Sequence, residues 1–351
     1  GQAGTDTLAF ANYTTPVDTA LDTVGADDGF DGTTSGSPKP IGGAFSNVNV
    51  LNGSDTTDTL TGVDLDSQWL IDGTDTFTSS NSLAFSSFEN LVGGAGVDSF
   101  AIADAKDATA AGAMVVVDID AGGGNDSLAG DDEVNDWQIS GSGAGSVLFN
   151  GHTISFDGLE TLIGGDNQDT FEFGVTGDIS GDVIANGGSD SLDLSDYTST
   201  LTVVLTGAVV GEGLGGDVSG PTDPIGGSFS GVDSLLSGSA ADSLTGLDVE
   251  SEWEIDGSNK YTHVSLGEFL LFDGFETLSG GSDIDDVTVI GSQAHDISTG
   301  AGIDVLQLSD GATLSGDIAT GDGSDVITFG STSTLNGNLD TCLLYTSAAA
   351  D

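Results

Sequence analysis

The sequence predicts an all-β fold, an elongated parallel β-helix or β-solenoid with rungs of about 20 residues. Three observations carry this prediction. No stretch of ten residues places apolar side chains at helical spacing among good helix formers. Short runs of alternating apolar and polar residues recur between Gly and Asp residues, as expected for strands of about 4–6 residues. The same sequence frames return along the chain, which indicates a repeat architecture.

The composition combines a hydrophobic content typical of folded chains with an extreme negative charge. The 351 residues include 57 Asp and Glu, but the only cations are Lys39, Lys106 and Lys260, so the formal net charge is −54, while 37% of the residues are hydrophobic. This balance excludes nucleic acid as a partner, because binding to phosphates requires cationic side chains. We expect no membrane insertion, because no apolar run approaches the roughly 20 residues that span a bilayer.

Three modules of the chain share one frame. In each, D-x-L-x-G is followed by W-x-I-x-G, then by F-E-x-L or L-E-x-L, and finally by G-G-x-x-x-D. The modules contain Trp69, Trp137 and Trp253, each of which follows the first Asp by 11 residues. We predict that these side chains fill the core, because the Ile two residues later shares their strand face. An exposed row of Trp side chains for stacking on sugars is the alternative.

A larger repeat contains these modules. Pro40-Ile-Gly-Gly43 returns as Pro224-Ile-Gly-Gly227, at an offset of 184 residues. The repeats divide the chain into 1–50 (a partial first copy of the unit), 51–104 (Trp module 1), 105–191 (Trp module 2 and short rungs), 192–236 (the second copy of the N-terminal segment), 237–290 (Trp module 3), 291–341 (short rungs) and 342–351 (an adaptor-like, non-native tail). The alternative fold is a series of tandem β-sandwich domains, in which 18–43 and 207–227 are loops or sandwich strands.

Seven turns of similar sequence end in Asp. The turn that begins at Gly93 fits G-G-x-G-x-D-x-U-x, where U is a large apolar residue. This pattern resembles the calcium-binding nonapeptide of RTX proteins. The resemblance implies that backbone carbonyls face inward and that each Asp carboxylate completes an oxygen cage for Ca²⁺ between successive rungs. The residues that take this Asp position are Asp98, Asp126, Asp169, Asp190, Asp285, Asp304 and Asp325.

The turns also depart from the RTX pattern. They occur singly, at spacings of about 20 residues or more, and the fourth-position Gly is replaced by Asn167 in one turn and by Asp283 in another. The alternative is that each Asp caps its own Gly turn without a metal. Charge favours a cation, because carboxylates stacked ~4.8 Å apart repel by about 0.9 kcal/mol even in water. High external salt would screen the same repulsion.

The acidic and basic side chains outside these turns give weaker signals. Glu89, Glu160 and Glu276 lie between apolar neighbours, so we expect them to point to solvent or to the next turn. The three His residues share no module position and have no Cys or His partner at ligand spacing, so no zinc site is predicted. No catalytic residue is predicted either.

The module pattern W-x-I-x-G followed by F-E-x-L-x-G-G resembles the β-strand repeats of giant bacterial surface and adhesin-like proteins. The resemblance implies an extracellular or cell-surface location. Because the chain starts at Gly1 without a signal-like segment, we interpret it as a piece of a longer protein. We expect a structural or adhesive segment without enzyme activity, with calcium, surface glycans or further copies of itself as partners. A polysaccharide lyase-like β-helix enzyme and an S-layer-like lattice protein are the alternatives.

Overall fold

The structure is a computed structural model that describes residues 4–103 and 116–341. In this part of the chain every regular element is a β-strand, which confirms the all-β prediction. Gly, Asp, Ser and Thr disfavour helix interiors, and the chain is rich in all four. The predicted strand start at Met114, the cation Lys106 and the tail 342–351 lie outside the described residues. The chain divides into two compact units, one within 1–171 and 176–184, the other within 172–175 and 185–351.

The strands of the first unit are short. In its described part they are β1 (Thr7–Ala9), β2 (Val17–Val24), β3 (Phe30–Gly36), β4 (Ala44–Val48), β5 (Val50–Asn52), β6 (Thr59–Thr61), β7 (Ser67–Ile71), β8 (Thr76–Thr78), β9 (Ser82–Ser86), β10 (Asn90–Gly94), β11 (Asp98–Ile102), β12 (Asp118–Gly122), β13 (Ser127–Ala129), β14 (Asn135–Gly141), β15 (Ala144–Phe149), β16 (His152–Asp157), β17 (Thr161–Ile163), β18 (Asp169–Phe173, whose last two residues belong to the second unit) and β19 (Val183–Ile184).

The strands of the second unit are shorter still towards its end. In its described part they are β20 (Ser191–Asp193), β21 (Thr202–Val209), β22 (Gly213–Ser219), β23 (Phe229–Val232), β24 (Ser234–Leu236), β25 (Ser243–Thr245), β26 (Ser251–Ile255), β27 (Lys260–His263), β28 (Phe269–Asp273), β29 (Thr277–Ser279), β30 (Asp285–Val289), β31 (Ser292–Gln293), β32 (Asp296–Ser298), β33 (Ala301–Gly302), β34 (Val305–Leu308), β35 (Thr313–Leu314), β36 (Ile318–Ala319), β37 (Asp322–Gly323), β38 (Val326–Phe329), β39 (Thr334–Leu335) and β40 (Leu339–Asp340).

Parallel pairing between successive rungs builds each unit. In the first unit β6, β10, β12 and β16 pair in that order, and Leu91 lies opposite Leu60 on one side and Ile119 on the other. In the second unit β25, β29, β32, β36 and β40 pair in order, with Leu278 opposite Ile297. These side chains are buried, so each rung covers the apolar face of the previous one. The predicted β-solenoid is thus confirmed.

Rung length varies along the chain. The short rungs of the second unit hold 19 or 21 residues, as the Asp285, Asp304 and Asp325 spacing shows. The Trp modules are longer, with 31 residues between linked turns in module 1 and 34 in modules 2 and 3. The additional residues form antiparallel meanders, β7–β8–β9 in module 1, β14–β15–β16 in module 2 and β26–β27–β28 in module 3.

The three Trp side chains anchor these meanders from inside. Trp69, Trp137 and Trp253 are at most 3% exposed. Trp69 packs edge-on against Phe77 at a ring-centroid distance of 4.5 Å and stacks on Phe100 of the next rung at 5.5 Å. The core prediction is therefore confirmed, and the alternative of sugar stacking on these rings is wrong, because the rings are inaccessible.

The segments 18–43 and 207–227 are part strand and part loop, and their strands do not form sandwiches. The first includes most of the antiparallel hairpin β2–β3, and the second includes the turn and the second strand of the hairpin β21–β22. The two hairpins pair with the parallel strands β6 and β25. The two hairpins are attached alike. Val17 N–H donates to Oδ1 of Asp58 at 2.7 Å, and 184 residues later Leu201 N–H donates to Oδ1 of Asp242 at 2.7 Å. The sequence repeat is thus also a repeat of hydrogen-bond geometry.

Candidate metal centre

The Gly-Asp turns of successive rungs lie on one another within each unit. In the first unit Gly94 lies opposite Gly122, and Gly123 N–H donates to the Gly94 carbonyl at 2.8 Å. In the second unit Gly302 lies opposite Gly323. The turns approach so closely that a Cβ at Gly124 would overlap a carbonyl oxygen of the turn below it. Glycine is therefore required at this position for steric reasons.

Direct hydrogen bonds connect the Asp residues of stacked turns. The backbone N–H of Asp98 donates to Oδ1 of Asp126 at 2.7 Å. In the second unit Asp285 N–H donates to Oδ1 of Asp304 at 3.0 Å, and Asp304 N–H donates to Oδ1 of Asp325 at 3.2 Å. The structure therefore brings together five of the seven predicted ligands, two in the first unit and three in the second.

The other two predicted ligands have different neighbours. Oδ1 of Asp169 accepts from the backbone N–H of Asn135 at 2.9 Å and from its Nδ2 at 2.7 Å. Asp190 N–H donates to Oδ2 of Asp233 at 2.9 Å. Each is therefore hydrogen-bonded within its own unit to a residue, Asn135 or Asp233, that is not the closing Asp of a Gly-Asp motif.

A polar residue two positions before each module Trp also binds the closing Asp. Its side chain donates to Oδ1 of the Asp that ends the same module. The donor and acceptor pairs are Ser67 and Asp98, Asn135 and Asp169, and Ser251 and Asp285. Sequence reasoning missed these donors, although the position carries Ser, Asn and Ser in the three modules, which is a detectable signal.

The module Glu residues accept backbone hydrogen bonds from a neighbouring turn. In each case Oε2 accepts from the N–H of the Asp that begins D-x-L-x-G. The pairs are Glu89 and Asp58 at 2.8 Å, Glu160 and Asp126 at 2.6 Å, and Glu276 and Asp242 at 2.8 Å. These side chains were expected to point to solvent or to a neighbouring turn, and they reach the turn of the preceding rung, although Glu276 is also exposed to solvent.

The second carboxylate oxygen distinguishes two kinds of turn. Oδ2 of Asp169 accepts from Gly165 N–H at 2.6 Å, and Oδ2 of Asp285 accepts from Gly281 N–H at 2.9 Å. These two residues cap their own turns, as the metal-free alternative expects. By contrast, no described residue donates to Oδ2 of Asp98, Asp126 or Asp304, although all three oxygens are buried.

The two kinds of turn also differ in sequence. Asp98, Asp126 and Asp304 each have Gly two residues before them, as in the complete motif. The self-capped turns have Asn167 and Asp283 at that position. The fourth-position Gly of the RTX-like pattern is therefore present where the carboxylate has an unbonded buried oxygen, and it is replaced where the carboxylate is satisfied. We call the turns that end at Asp98, Asp126 and Asp304 the open turns.

Burial dominates the electrostatics of these carboxylates. It raises the pKa of Asp98 to about 6, and the negative charges of Asp126 and Asp66 add to the effect, while the Ser67 hydroxyl opposes it. Burial likewise raises the pKa of Asp126 and of Asp304. A charged carboxylate removed from water without a counter-ion is unfavourable, so these sites favour a proton or a cation.

The open turns fit a hard cation that binds oxygen. Among the described residues no three His, Cys, Asp or Glu side chains form a group that could hold a metal. Calcium, however, accepts backbone carbonyls as ligands beside one or two carboxylates. The absence of a side chain at Gly93 leaves room for the carboxylate, since a Cβ there would lie 2.5 Å from Oδ2 of Asp98. Asp169 and Asp285 fit calcium less well, because both of their oxygens are already hydrogen-bonded.

Comparison with known proteins adds no relative. No protein family model matches the chain, and no curated protein is detectably similar to it. In the described part of the chain there is no helix of the length and apolar character needed to span a membrane. Function must therefore be inferred from the geometry of the turns and of the outer surface.

Proposed function

We propose that this chain is a structural or adhesive repeat segment of a secreted or cell-surface bacterial protein, and that calcium stabilises its open turns. The observation that carries the proposal is the buried, unbonded Oδ2 of Asp98, Asp126 and Asp304. Together with the carbonyls of the glycine turns, these oxygens would hold the ion. Bound calcium would supply positive charge to a chain with a net charge of −54.

An extracellular role follows from the same chemistry. Calcium is scarce in the cytosol and plentiful outside the cell. Without calcium, mutual repulsion between carboxylates weakens the folded form, which suits secretion, and calcium then favours the folded form by mass action. The polar contacts of the turns recur from module to module, whereas an active site is normally unique. This repetition supports a structural role over a catalytic one.

Calorimetry tests the calcium part of the proposal. At fixed ionic strength, we expect millimolar calcium to raise the melting temperature by several degrees relative to EGTA. An unchanged melting curve would remove calcium from the proposal. Assays against uronate polymers at neutral pH with calcium test the non-catalytic part, and turnover at an enzyme-like rate would refute it.

A further inference from the structure

On β28, Trp module 3 carries an exposed apolar strip that the equivalent strands of modules 1 and 2, β9 and β16, lack. Phe269 and Leu271 of β28 are 38% and 42% exposed, and they pair with Thr262 and Lys260 of β27. The residues in the same register are Ser82 and Ala84 in module 1, and Thr153 and Ser155 in module 2. The same meander therefore forms with small or polar residues at these positions, so folding alone does not explain Phe269 and Leu271.

Other exposed apolar residues extend this strip. The turn before β28 carries Val264 and Leu266, both exposed. Gly211 N–H at the tip of the β21–β22 hairpin donates to Oε1 of Glu268 at 2.8 Å, which brings the exposed Val210 towards the start of β28. Contiguous exposed apolar surface of this kind marks interaction sites.

A polar cleft of about 270 Å³ adjoins the strip on the outer face of β27, β26 and β30. Its polar lining consists of Glu252, Glu254, Lys260, Thr262, Asp286 and Thr288. The Lys260 ammonium lies 5.4 Å from the ring centre of Phe269, so the cleft and the strip meet at this pair. In module 1 the positions of Glu252, Glu254 and Lys260 are taken by Gln68, Leu70 and Thr76. In module 2 they are taken by Asp136, Gln138 and Ser146, so the combination of two Glu residues with a Lys is specific to module 3.

We propose that this cleft and strip bind a neutral glycan. Sugar hydroxyls both donate and accept hydrogen bonds, so one ligand can satisfy the carboxylates of Glu252 and Asp286 and also the ammonium of Lys260. The apolar face of a sugar ring matches the exposed Phe269 and Leu271. The three carboxylates of the cleft repel a polyanion. Lys260, which lies where the cleft joins the strip, repels a cationic peptide. That this face encounters glycans depends on the proposed cell-surface role, whereas glycan binding does not depend on calcium.

Affinity electrophoresis tests this proposal. Native gels contain dextran, galactomannan or hydroxyethyl cellulose, each run with calcium and with EGTA. We expect at least one polymer to retard the protein. The double variant Phe269→Ser, Leu271→Ala, which installs the module 1 residues, should bind that polymer at least tenfold more weakly. Leu148→Thr, which removes an exposed Leu from module 2, is the matched control and should bind like the wild type.

Two outcomes would overturn the glycan site. One is the absence of retardation in all three polymers, and the other is a double variant that melts and binds like the wild type. Retention on immobilised oligolysine that the double variant loses, without retardation by any polymer, would assign the face to a cationic polypeptide instead. Failure of the calcium proposal would appear in the melting curves alone, so the two failures are distinguishable.

Discussion

The backbone N–H of Asp98 donates to a carboxylate oxygen of Asp126, the residue that closes the next turn in the same column. A β-ladder supplies carbonyl acceptors along the strands, but at the turns the amides of one rung need other partners. Oδ1 of Asp126 is such a partner. The high Asp content therefore has a structural reason that does not depend on metal binding, and in the open turns the second carboxylate oxygen remains for other chemistry.

In another column of the second unit, backbone N–H groups also donate to Asp carboxylates, but in the opposite direction. There the later rung donates to the earlier one. Asp317 N–H donates to Oδ1 of Asp296, and Asn338 N–H donates to Oδ1 of Asp317, both at 2.7 Å and 21 residues apart. The repulsion between stacked carboxylates is thus offset by hydrogen bonds to charged acceptors, which are stronger than neutral ones.

The first prediction separates open from self-capped turns. Asp98→Asn should reduce the rise in melting temperature that calcium produces, because an amide replaces the buried charge that would bind the ion. In EGTA this variant should be as stable as the wild type or more stable, since it removes an uncompensated buried charge. Calorimetry in EGTA and in millimolar calcium measures both effects.

Asp285→Asn is the matched control for this experiment. Its Oδ2 accepts from Gly281 N–H, so we expect a loss of about 1–3 kcal/mol in EGTA when an amide NH₂ faces that donor. The calcium-induced rise should remain. A calcium response that is lost in Asp285→Asn but kept in Asp98→Asn would contradict the assignment of the open turns.

The second prediction concerns pH in calcium-depleted buffer. Burial raises the pKa of Asp98 from its ordinary value of 3.8 to about 6, so the folded state binds a proton more readily than the unfolded state does. This contribution to stability is fully present below about pH 3.8 and is lost as the pH rises through 6. The urea midpoint should therefore be higher at pH 5 than at pH 7.5.

The variant Asp98→Asn isolates this contribution from the general relief of charge repulsion on acidification. Its midpoint should change less between pH 5 and pH 7.5 than that of the wild type. Millimolar calcium should also flatten the wild-type profile, because the ion requires the deprotonated carboxylate. Equal pH slopes for wild type and variant would show that Asp98 does not titrate in this range.

Sequence patterns predicted some of the strands and their parallel stacking, but not the antiparallel pairing. The alternating run from Asp98 predicts β11, and the repeat predicts parallel stacking, both of which the structure has. The meanders were not predicted. Alternation in Thr76–Thr78 indicates a strand, yet its antiparallel partners β7 and β9 depend on contacts between residues distant in sequence. Inserted hairpins also explain why the Trp modules exceed the predicted rung length.

The candidate site was also predicted only in part, because some of its hydrogen-bond partners are distant in sequence. The Gly-Asp motif located Asp98 and Asp126, and the loss of Gly at Asn167 and Asp283 was visible in the sequence. The Ser67 donor, by contrast, lies 31 residues before its acceptor. Such a partner is recognisable only once the length of the rung is known, because rung length decides which residues lie opposite each other.

The third prediction concerns packing behind a module Trp. A Cβ at Gly62 would lie 2.5 Å from the Gly93 carbonyl oxygen of the next rung, 2.9 Å from Cζ2 of the buried Trp69 and 3.1 Å from the buried Phe77. Gly62→Ala should therefore lower the free energy of unfolding by about 1–3 kcal/mol through overpacking. Gly123→Ala is the control, because no atom lies within 4 Å of a Cβ at that position. Similar urea midpoints for the two variants would show that Gly62 is not needed to seat the ring.

The fourth prediction concerns the module Glu residues. Oε2 of Glu276 accepts from Asp242 N–H at 2.8 Å, and the Asp242 carboxylate in turn accepts from Leu201 N–H, which attaches the β21–β22 hairpin. Glu276→Ala should cost about 1–2 kcal/mol, because the amide loses its acceptor in a partly buried turn. Glu276→Gln keeps an acceptor oxygen and should cost less than half as much, while the exposed Glu250→Ala should be near neutral.

Hydrogen exchange distinguishes a role of Glu276 as hydrogen-bond acceptor from a role of its negative charge. If Glu276 acts as an acceptor, the Asp242 amide should exchange faster in Glu276→Ala than in Glu276→Gln, and urea midpoints should follow the same order. If its negative charge were what mattered, both variants would lose that charge and behave alike. Because Glu89 and Glu160 make the equivalent bonds in modules 1 and 2, the same order should hold for their Ala and Gln variants. A module whose variants did not follow this order would show that the turn positions its Glu, and that the Glu does not stabilise the turn.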